Sequence, residues 1–541
     1  MLGLLLLLAA VLILYAGRHL TFFYDEWNFI LQRRGGGVDT YLDPHNGHLV
    51  LFPVIVYKVL FALVGLRHYT PYLAVMVALH LLSAGLLYLL VRRSLGPWLA
   101  LAPTALLLFM GSAYQDLLWP FEISLLTSVA GGLGAMLCLQ RRSRRWDGAA
   151  ALLLAWSLTG SAVGIPFLAA AAVVLIAQRG PWTRLWVVVA PAALFAVWYL
   201  GWGTSEPVTS DAVLGAPQYV ADAAAGTLAG IAGLASEWGP PLAVAAVVAI
   251  LLAVWRRNET PSAMLLGAAA GVLSFWLLAA VTRAESGDPT ASRYLYVGAV
   301  FIALIASEAS AGATLPRGWA ALGVVLLIGA IVGNLGALRA AERSFESSDA
   351  SVRASLAAVE VAAPVVAPTF VPEPLNAPQV TAGPYLAAVR DLGSPALTLP
   401  ELERAPAGTR SHSDQVLEQA ERLAPVPVAR AIFGTSRPMI EASSGGRVVQ
   451  VGLCDRLLPT VRPGILGVGV PPGRELLVHA AAGKAAPISL RRLAATFGAP
   501  LGFVAGGTSD AVRFPADRAP GLIWHVDVSV ASAQAIEVCV R

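Results

Sequence analysis

The sequence predicts an all-α polytopic membrane domain followed by a C-terminal extracytoplasmic domain that is mixed or mainly β. The membrane part should hold about eleven transmembrane helices plus juxtamembrane helices. Three observations carry this. The 541-residue chain is 57% hydrophobic and only 13% charged, with mean hydropathy +0.68, where soluble domains carry about 25% charged residues. Its arginines fall in clusters between long apolar runs. Near residue 340 the apolar runs stop, and short β-like runs punctuated by Gly and Pro take over downstream.

The elements follow from arginine parity, because cytoplasmic loops collect Lys and Arg. The net charge of +4 decides little, whereas the placement of the arginines decides the topology. Inside markers are Arg92-Arg93, the cluster Arg141, Arg142, Arg144 and Arg145, Arg179 with Arg184, Arg256-Arg257, and Arg317. The N-terminal run MLGLLLLLAAVLILYAGRH lacks the basic n-region and small-residue cleavage site of a signal peptide, so it reads as an uncleaved first span. Spans are then expected near 72–91, 98–112 and 123–139, as a hairpin across 149–178, and near 184–203, 240–255, 262–281, 294–310 and 318–338. Leu49–Leu66 would flip the parity if it crossed. Interrupted by Pro53 and Lys58, it reads as helices in the outer interface. The outer loops are then 21–71, 113–122, 204–239 and 282–293, with Tyr219 and Trp238 as interface anchors. This arrangement puts residues 1–340 in the membrane domain, 341–380 in a linker or extended segment, and 381–541 in an outer domain. In that domain 447–453, 475–479 and 522–530 read as strands and Leu417–Leu423 as a short helix. Cys138 lies in an apolar run. Cys454 and Cys539 suggest a disulfide if their domain is extracytoplasmic.

Four stretches can carry chemistry. Asp25-Glu26 follows the first span directly and precedes Trp27, Phe29, Ile30 and Leu31, an amphipathic turn suited to the membrane surface. A carboxylate there can act as general base on a hydroxyl or hold a divalent cation beside a phosphate, or it is merely solvated. Asp43-Pro44-His45-Asn46-Gly47-His48 contains a tight-turn signal. His45 and His48 can contact a polar substrate, cap a helix, or ligate a metal with Asp25 and Glu26. In Tyr114-Gln115-Asp116-Leu117-Leu118-Trp119-Pro120-Phe121-Glu122, rings beside Gln and acids suit a sugar, although Trp and Tyr are also ordinary belt residues. Arg293, followed by Tyr294, begins a span on the outer side against the charge bias. It can form a bidentate phosphate contact or simply snorkel.

Together these pieces resemble the GT-C superfamily of integral-membrane glycosyltransferases, with an Asp/Glu motif directly after the first span and juxtamembrane helices behind it. They are more closely similar to a bacterial group with a "DE…HNEHR" first loop and a later "Q-x-x-LLW-x-F" loop. Here those read Asp25-Glu26, His45-Asn46-Gly47-His48 and Gln115-Asp116-Leu117-Leu118-Trp119-Pro120-Phe121. Gly47 replaces the group's middle Glu, and Leu49 replaces the Arg after the second His. The likeness covers about residues 1–310. It implies an inverting transfer of a sugar from a polyprenyl-phosphate donor to a cell-envelope glycan, lipid or protein hydroxyl on the outer face of a bacterial inner membrane. Asp25 would be the base and Glu26 its support. His45, Asn46, His48, Gln115, Trp119, Glu122, Arg293 and Tyr294 would bind substrate. A divalent cation is an open cofactor. There is no P-loop or dinucleotide fingerprint, and no nucleic-acid partner is expected. Two alternatives remain. An O-antigen-ligase or polymerase-like enzyme would need a large Arg/His loop between late spans. A lipid or solute transporter would need charges within spans and paired broken helices.

Overall fold

The structure, a computed structural model, describes residues 1–178, 182–204, 208–257, 260–283, 287–312, 316–429, 433–460, 463–530 and 534–541. The expected marker Arg179 lies outside them. The chain divides into two compact units. One comprises Met1–Leu20 with Gln32–Glu346, the other Thr21–Leu31 with Ser347–Arg541.

The first unit is helical. It begins with α1 (Leu2–Ala16) and continues, beyond the short α2 (Glu26–Gln32) that falls almost wholly in the second unit, with α3 (Val38–Leu42) and α4 (Leu51–Val64). At 14 residues, α4 is about 21 Å long and ends at Gly65, whose φ of 60° suits glycine. It is too short for a hydrocarbon core of about 30 Å. Next come α5 (Thr70–Leu99), α6 (Leu101–Leu108), the four-residue α7 (Gln115–Leu118) and α8 (Ile123–Leu139). Gly96, at φ 78° before Pro97, bends α5 sharply, because proline removes a helix donor and clashes with the preceding turn. Then follow α9 (Arg144–Leu158), α10 (Gly164–Ala177), α11 (Trp186–Trp202), α12 (Ser210–Ala232), α13 (Gly239–Arg257), α14 (Ala263–Arg283), α15 (Ser292–Ala309) and α16 (Arg317–Val361). Seven helices among the described residues are long and apolar enough to cross a membrane. The rest of the expected eleven, α1, α6, α9 and α10, have 15, 8, 15 and 14 residues.

Two expectations are corrected. The loop 204–239 contains the 23-residue α12, capped by Thr209 at one end and by left-handed Gly233 at the other. Its Tyr219 is buried rather than anchored at an interface. Glycine there reflects close packing: a Cβ on Gly226 would stand 2.7 Å from Thr290 Cγ2, and one on Gly230 would stand 2.9 Å from Ser112 Oγ. Small residues let membrane helices approach in this way. The segment 341–380 is not a linker throughout, since α16 continues to Val361. Residues 340–361 contain neither Gly nor Pro and are rich in Ala, the best helix former.

The second unit begins inside α16 and adds α17 (Ala382–Leu392), α18 (Leu399–Arg404) and α19 (Ala407–Ala420). Its strands are β1 (Val426–Pro427), β2 (Met439–Ser444), β3 (Gly446–Val451), β4 (Cys454–Pro459), β5 (Gly464–Val470), β6 (Glu475–Ala480), β7 (Ala486–Arg491), β8 (Gly502–Val504), β9 (Ser509–Arg513), β10 (Trp524–Val530) and β11 (Ile536–Val540). They form two antiparallel sheets, ordered β1-β9-β6-β11-β4-β3 and β2-β5-β10-β7-β8. The alternating residues Trp524, Val526, Val528 and Val530 are buried, as a half-covered sheet requires. Trp524 meets Phe514 at 5.9 Å. Cys454 and Cys539 sit opposite one another on β4 and β11 and are joined by a disulfide across a separation of 85 residues. In the chain-entropy picture a loop of that length gives about 4–5 kcal/mol.

Candidate functional site

The His45–His48 stretch is a two-residue reverse turn. His45 and His48 exchange both backbone hydrogen bonds, at 3.0 and 2.9 Å, while Asn46 and Gly47 have φ of 49° and 78°. Positive φ at both central positions is a type I′ turn, which Asn-Gly favours. The two histidines thus close a tight turn and do not begin a helix, the next one starting at Leu51. The Asn46 amide donates to His45 Nε2 at 3.2 Å, and the buried His45 ring meets Phe121 edge-on at 5.2 Å. Phe121 in turn stacks on Trp119 at 5.0 Å. The first loop and the 111–122 loop thus share one aromatic contact.

The 111–122 loop is also fixed to the start of α15. Gln115 N–H donates to Ser292 Oγ at 3.1 Å, and Gln115 Oε1 accepts from Arg293 N–H at 3.3 Å. This side chain satisfies one of the open amides that every helix N-terminus carries. The Arg293 guanidinium lies 5.2 Å from the Tyr294 ring centre. Asp116 and Glu122 are both buried. Neither Asp116 oxygen has a hydrogen-bond partner among the described residues. Burial, then the charge of Glu122, hold the Asp116 carboxyl well above the ordinary range, against the pull of Arg293. In the sequence Asp116 is one acid in a polar and aromatic stretch, and nothing there shows that it is buried. Deeper in the unit, the Tyr296 hydroxyl donates to His80 Nδ1 at 2.9 Å, and His80 Nε2 donates to the Leu108 carbonyl at 3.3 Å. In the sequence His80 is a lone imidazole in an apolar run, and nothing there pairs it with Tyr296.

Asp25 and Glu26 fold with the second unit. Asp25 is partly exposed. Glu26 is buried and accepts Phe23 N–H at 2.9 Å. The expected membrane-surface turn is corrected here: Trp27, Phe29 and Ile30 are buried in protein. Trp27 meets Phe22 and Tyr385 edge-on, each at 6.0 Å. Thr21 N–H donates to Asp349, and Tyr24 N–H donates to the Asn376 carbonyl. Among the described residues, one group of three His, Cys, Asp or Glu side chains brings its ligand atoms within 4.8 Å, namely Cys454, Glu537 and Cys539. Its sulfurs are consumed by the disulfide, and Glu537 pairs with Arg456. The group includes none of Asp25, Glu26, His45 or His48.

No known family profile matches the chain, and no curated protein matches it. Among solved structures it is similar to ArnT from Cupriavidus metallidurans. The form bound to undecaprenyl phosphate gives TM-score 0.47 at 14% identity, and the apo form gives 0.46 at 15%. Each comparison covers 71% of this chain and 84% of the other.

Proposed function

We propose that the protein is an integral-membrane glycosyltransferase, moving a sugar from a polyprenyl-phosphate donor to a cell-envelope acceptor on the outer face of a bacterial inner membrane. One observation carries the reading. An apolar cavity of about 270 Å³ runs along α6 and α15, lined by Pro103, Leu106, Met110, Ala299, Ala303 and Ala306 among others. Arg293 lies six residues before Ala299 on the same helix, about 9 Å along its axis. An isoprenoid tail suits the groove, and a phosphate suits the guanidinium above it. His45, Asn46, His48, Gln115, Trp119, Glu122 and Tyr294 supply the ring faces, donors and acceptors that a sugar requires.

The resemblance in the first loop gives Asp25 the role of base. It takes the acceptor hydroxyl proton as the oxygen attacks the anomeric carbon. The bond from that carbon to the phosphate oxygen breaks, and polyprenyl phosphate leaves with the electron pair. Inversion follows from a single displacement. The buried Glu26, tied to Phe23 N–H, orders the turn that presents Asp25. The arginine clusters at the opposite ends of α5 and α8 support an outer location for this chemistry.

Photo-crosslinking with a diazirine-bearing polyprenyl phosphate tests the lipid assignment. Label should fall on the α6–α15 groove and drop at least tenfold in Arg293→Ala. Labelling that ignores the groove, or is unchanged in Arg293→Ala, contradicts it.

A further inference from the structure

Between the end of α16 and the start of α17, residues 362–381 contain five prolines and a single charged side chain, Glu373. That charge is turned inward. Glu373 is buried, lies 3.1 Å from His412 Nε2 and accepts the Ser355 hydroxyl at 3.3 Å. What faces outward is apolar. Of the seven exposed residues in this loop, six are Pro, Val or Leu, and the seventh is Thr369. Leu375 is 83% exposed. A contiguous apolar face of this kind marks a contact with something other than water.

The backbone of the same loop is closed on itself. Val365 and Val366 N–H both donate to the Ala362 carbonyl at 2.9 Å, Phe370 donates to Ala367, Ala377 to Glu373, and Val380 to Ala377. Proline at five further positions leaves no N–H to satisfy. Such a loop loses little when water is withdrawn, whereas an open N–H in an apolar medium is costly. A protein partner would find few polar groups here, although protein interfaces make about one hydrogen bond per 100–200 Å². The chain also ties the loop to the first helix. The Asn376 carbonyl accepts Tyr24 N–H at 3.2 Å, and Tyr24 follows Leu20 by four residues, a reach of at most about 14 Å. Just before, α1 turns Leu4, Leu7, Leu8 and Val11 outward, each at least 49% exposed, as a helix in lipid does. The partly exposed Tyr24 is of the ring type that favours membrane interfaces. A lipid surface is thus the neighbour that the chain brings within reach of Leu375.

We propose that the exposed face of residues 364–378, led by Leu375, beds into the lipid leaflet beside α1, at the level of the headgroups and upper acyl chains. Apolar contact holds it, since the face carries no cation to select anionic headgroups. The proposal stands whether or not the protein transfers sugar. The test places a nitroxide on Leu375→Cys of the full chain in phosphatidylcholine nanodiscs, with Cys138→Ala removing the free thiol. The same label on Phe503→Cys, at the 61% exposed Phe503 of β8, is the reference. Oxygen concentrates in lipid and a nickel chelate in water, so the ratio of their collision rates reads immersion. That ratio should be at least threefold higher at 375 than at 503, at low and high salt alike. A ratio equal to the reference, or one that falls to it in high salt, would overturn the proposal. So would a label screened from both reagents, because protein would then cover the face.

Discussion

At the scale of single residues, burial separates groups that the sequence treats alike. Asp25 and Glu26 are neighbours, yet one is partly exposed and the other buried. Glu421 gives a second case. It stands beside Asp517 and 3.7 Å from Arg492, both buried, and Arg492 also pairs with Asp517. Burial, then Asp517, push the Glu421 carboxyl up to about 8. A raised folded value means the folded state holds the proton more tightly. The stability it contributes is fully present below an unfolded value near 4.5 and is lost as pH rises through about 8. Thermal unfolding of the full chain should therefore weaken from pH 5 to 8, by at most about 1.4 kcal/mol per pH unit for one proton. Glu421→Gln should flatten the dependence, and an unchanged slope in that variant would contradict the assignment. None of this was legible in the sequence, where Glu421 is one acid in a polar helix. The Asn46-Gly47 turn was legible, because its backbone conformation follows from the residue types alone.

At the scale of elements, the misreadings share a physical cause. Gly and Pro are ordinarily turn signals, and α12, with Gly215, Pro217, Gly226 and Gly230 in its run, was taken for a loop. In the structure Gly226 and Gly230 instead sit against Thr290 and Ser112, whereas a Cβ on Gly215 would meet nothing within 4 Å. Conversely, 340–361 was read as a linker from its change in composition, although its Ala-rich, Gly-free run favours a helix. Three of the eleven strands among the described residues, β3, β6 and β10, fall on the expected runs, where alternation is local and strong. Contacts between distant elements were invisible. Gly111 is the sharpest example, since a Cβ there would stand 1.9 Å from the Asn334 carbonyl oxygen. Asn334 Oδ1 also accepts Ser112 N–H at 2.9 Å. Gly111→Ala should destabilise the membrane unit by about 1–3 kcal/mol, seen as a lower melting temperature in detergent. Gly85→Ala, with nothing within 4 Å of the added Cβ, should not. Equal behaviour of the two would place the contact in error.

At the scale of the whole molecule, the two units carry different chemistry. A helical membrane unit holds an apolar groove and an arginine-bearing polar cluster, and a disulfide-linked unit holds two sheets and an apolar loop face. The division itself was only half legible. The change near residue 340 was clear from composition, but no sequence pattern shows that 21–31 folds with residues far downstream, because that rests on long-range contacts such as Trp27 with Tyr385 and Thr21 N–H with Asp349. Sugar transfer is measured directly in membranes that express the chain. Polyprenyl-phosphate donors carrying radiolabelled sugars are supplied with envelope glycan and lipid acceptors. Wild-type membranes should transfer label above vector controls, and Asp25→Asn should lose about 10²–10⁴-fold, as removal of a general base does, with Glu26→Gln losing less. No transfer above the vector control with any donor, or wild-type transfer by Asp25→Asn at equal expression, would contradict the account.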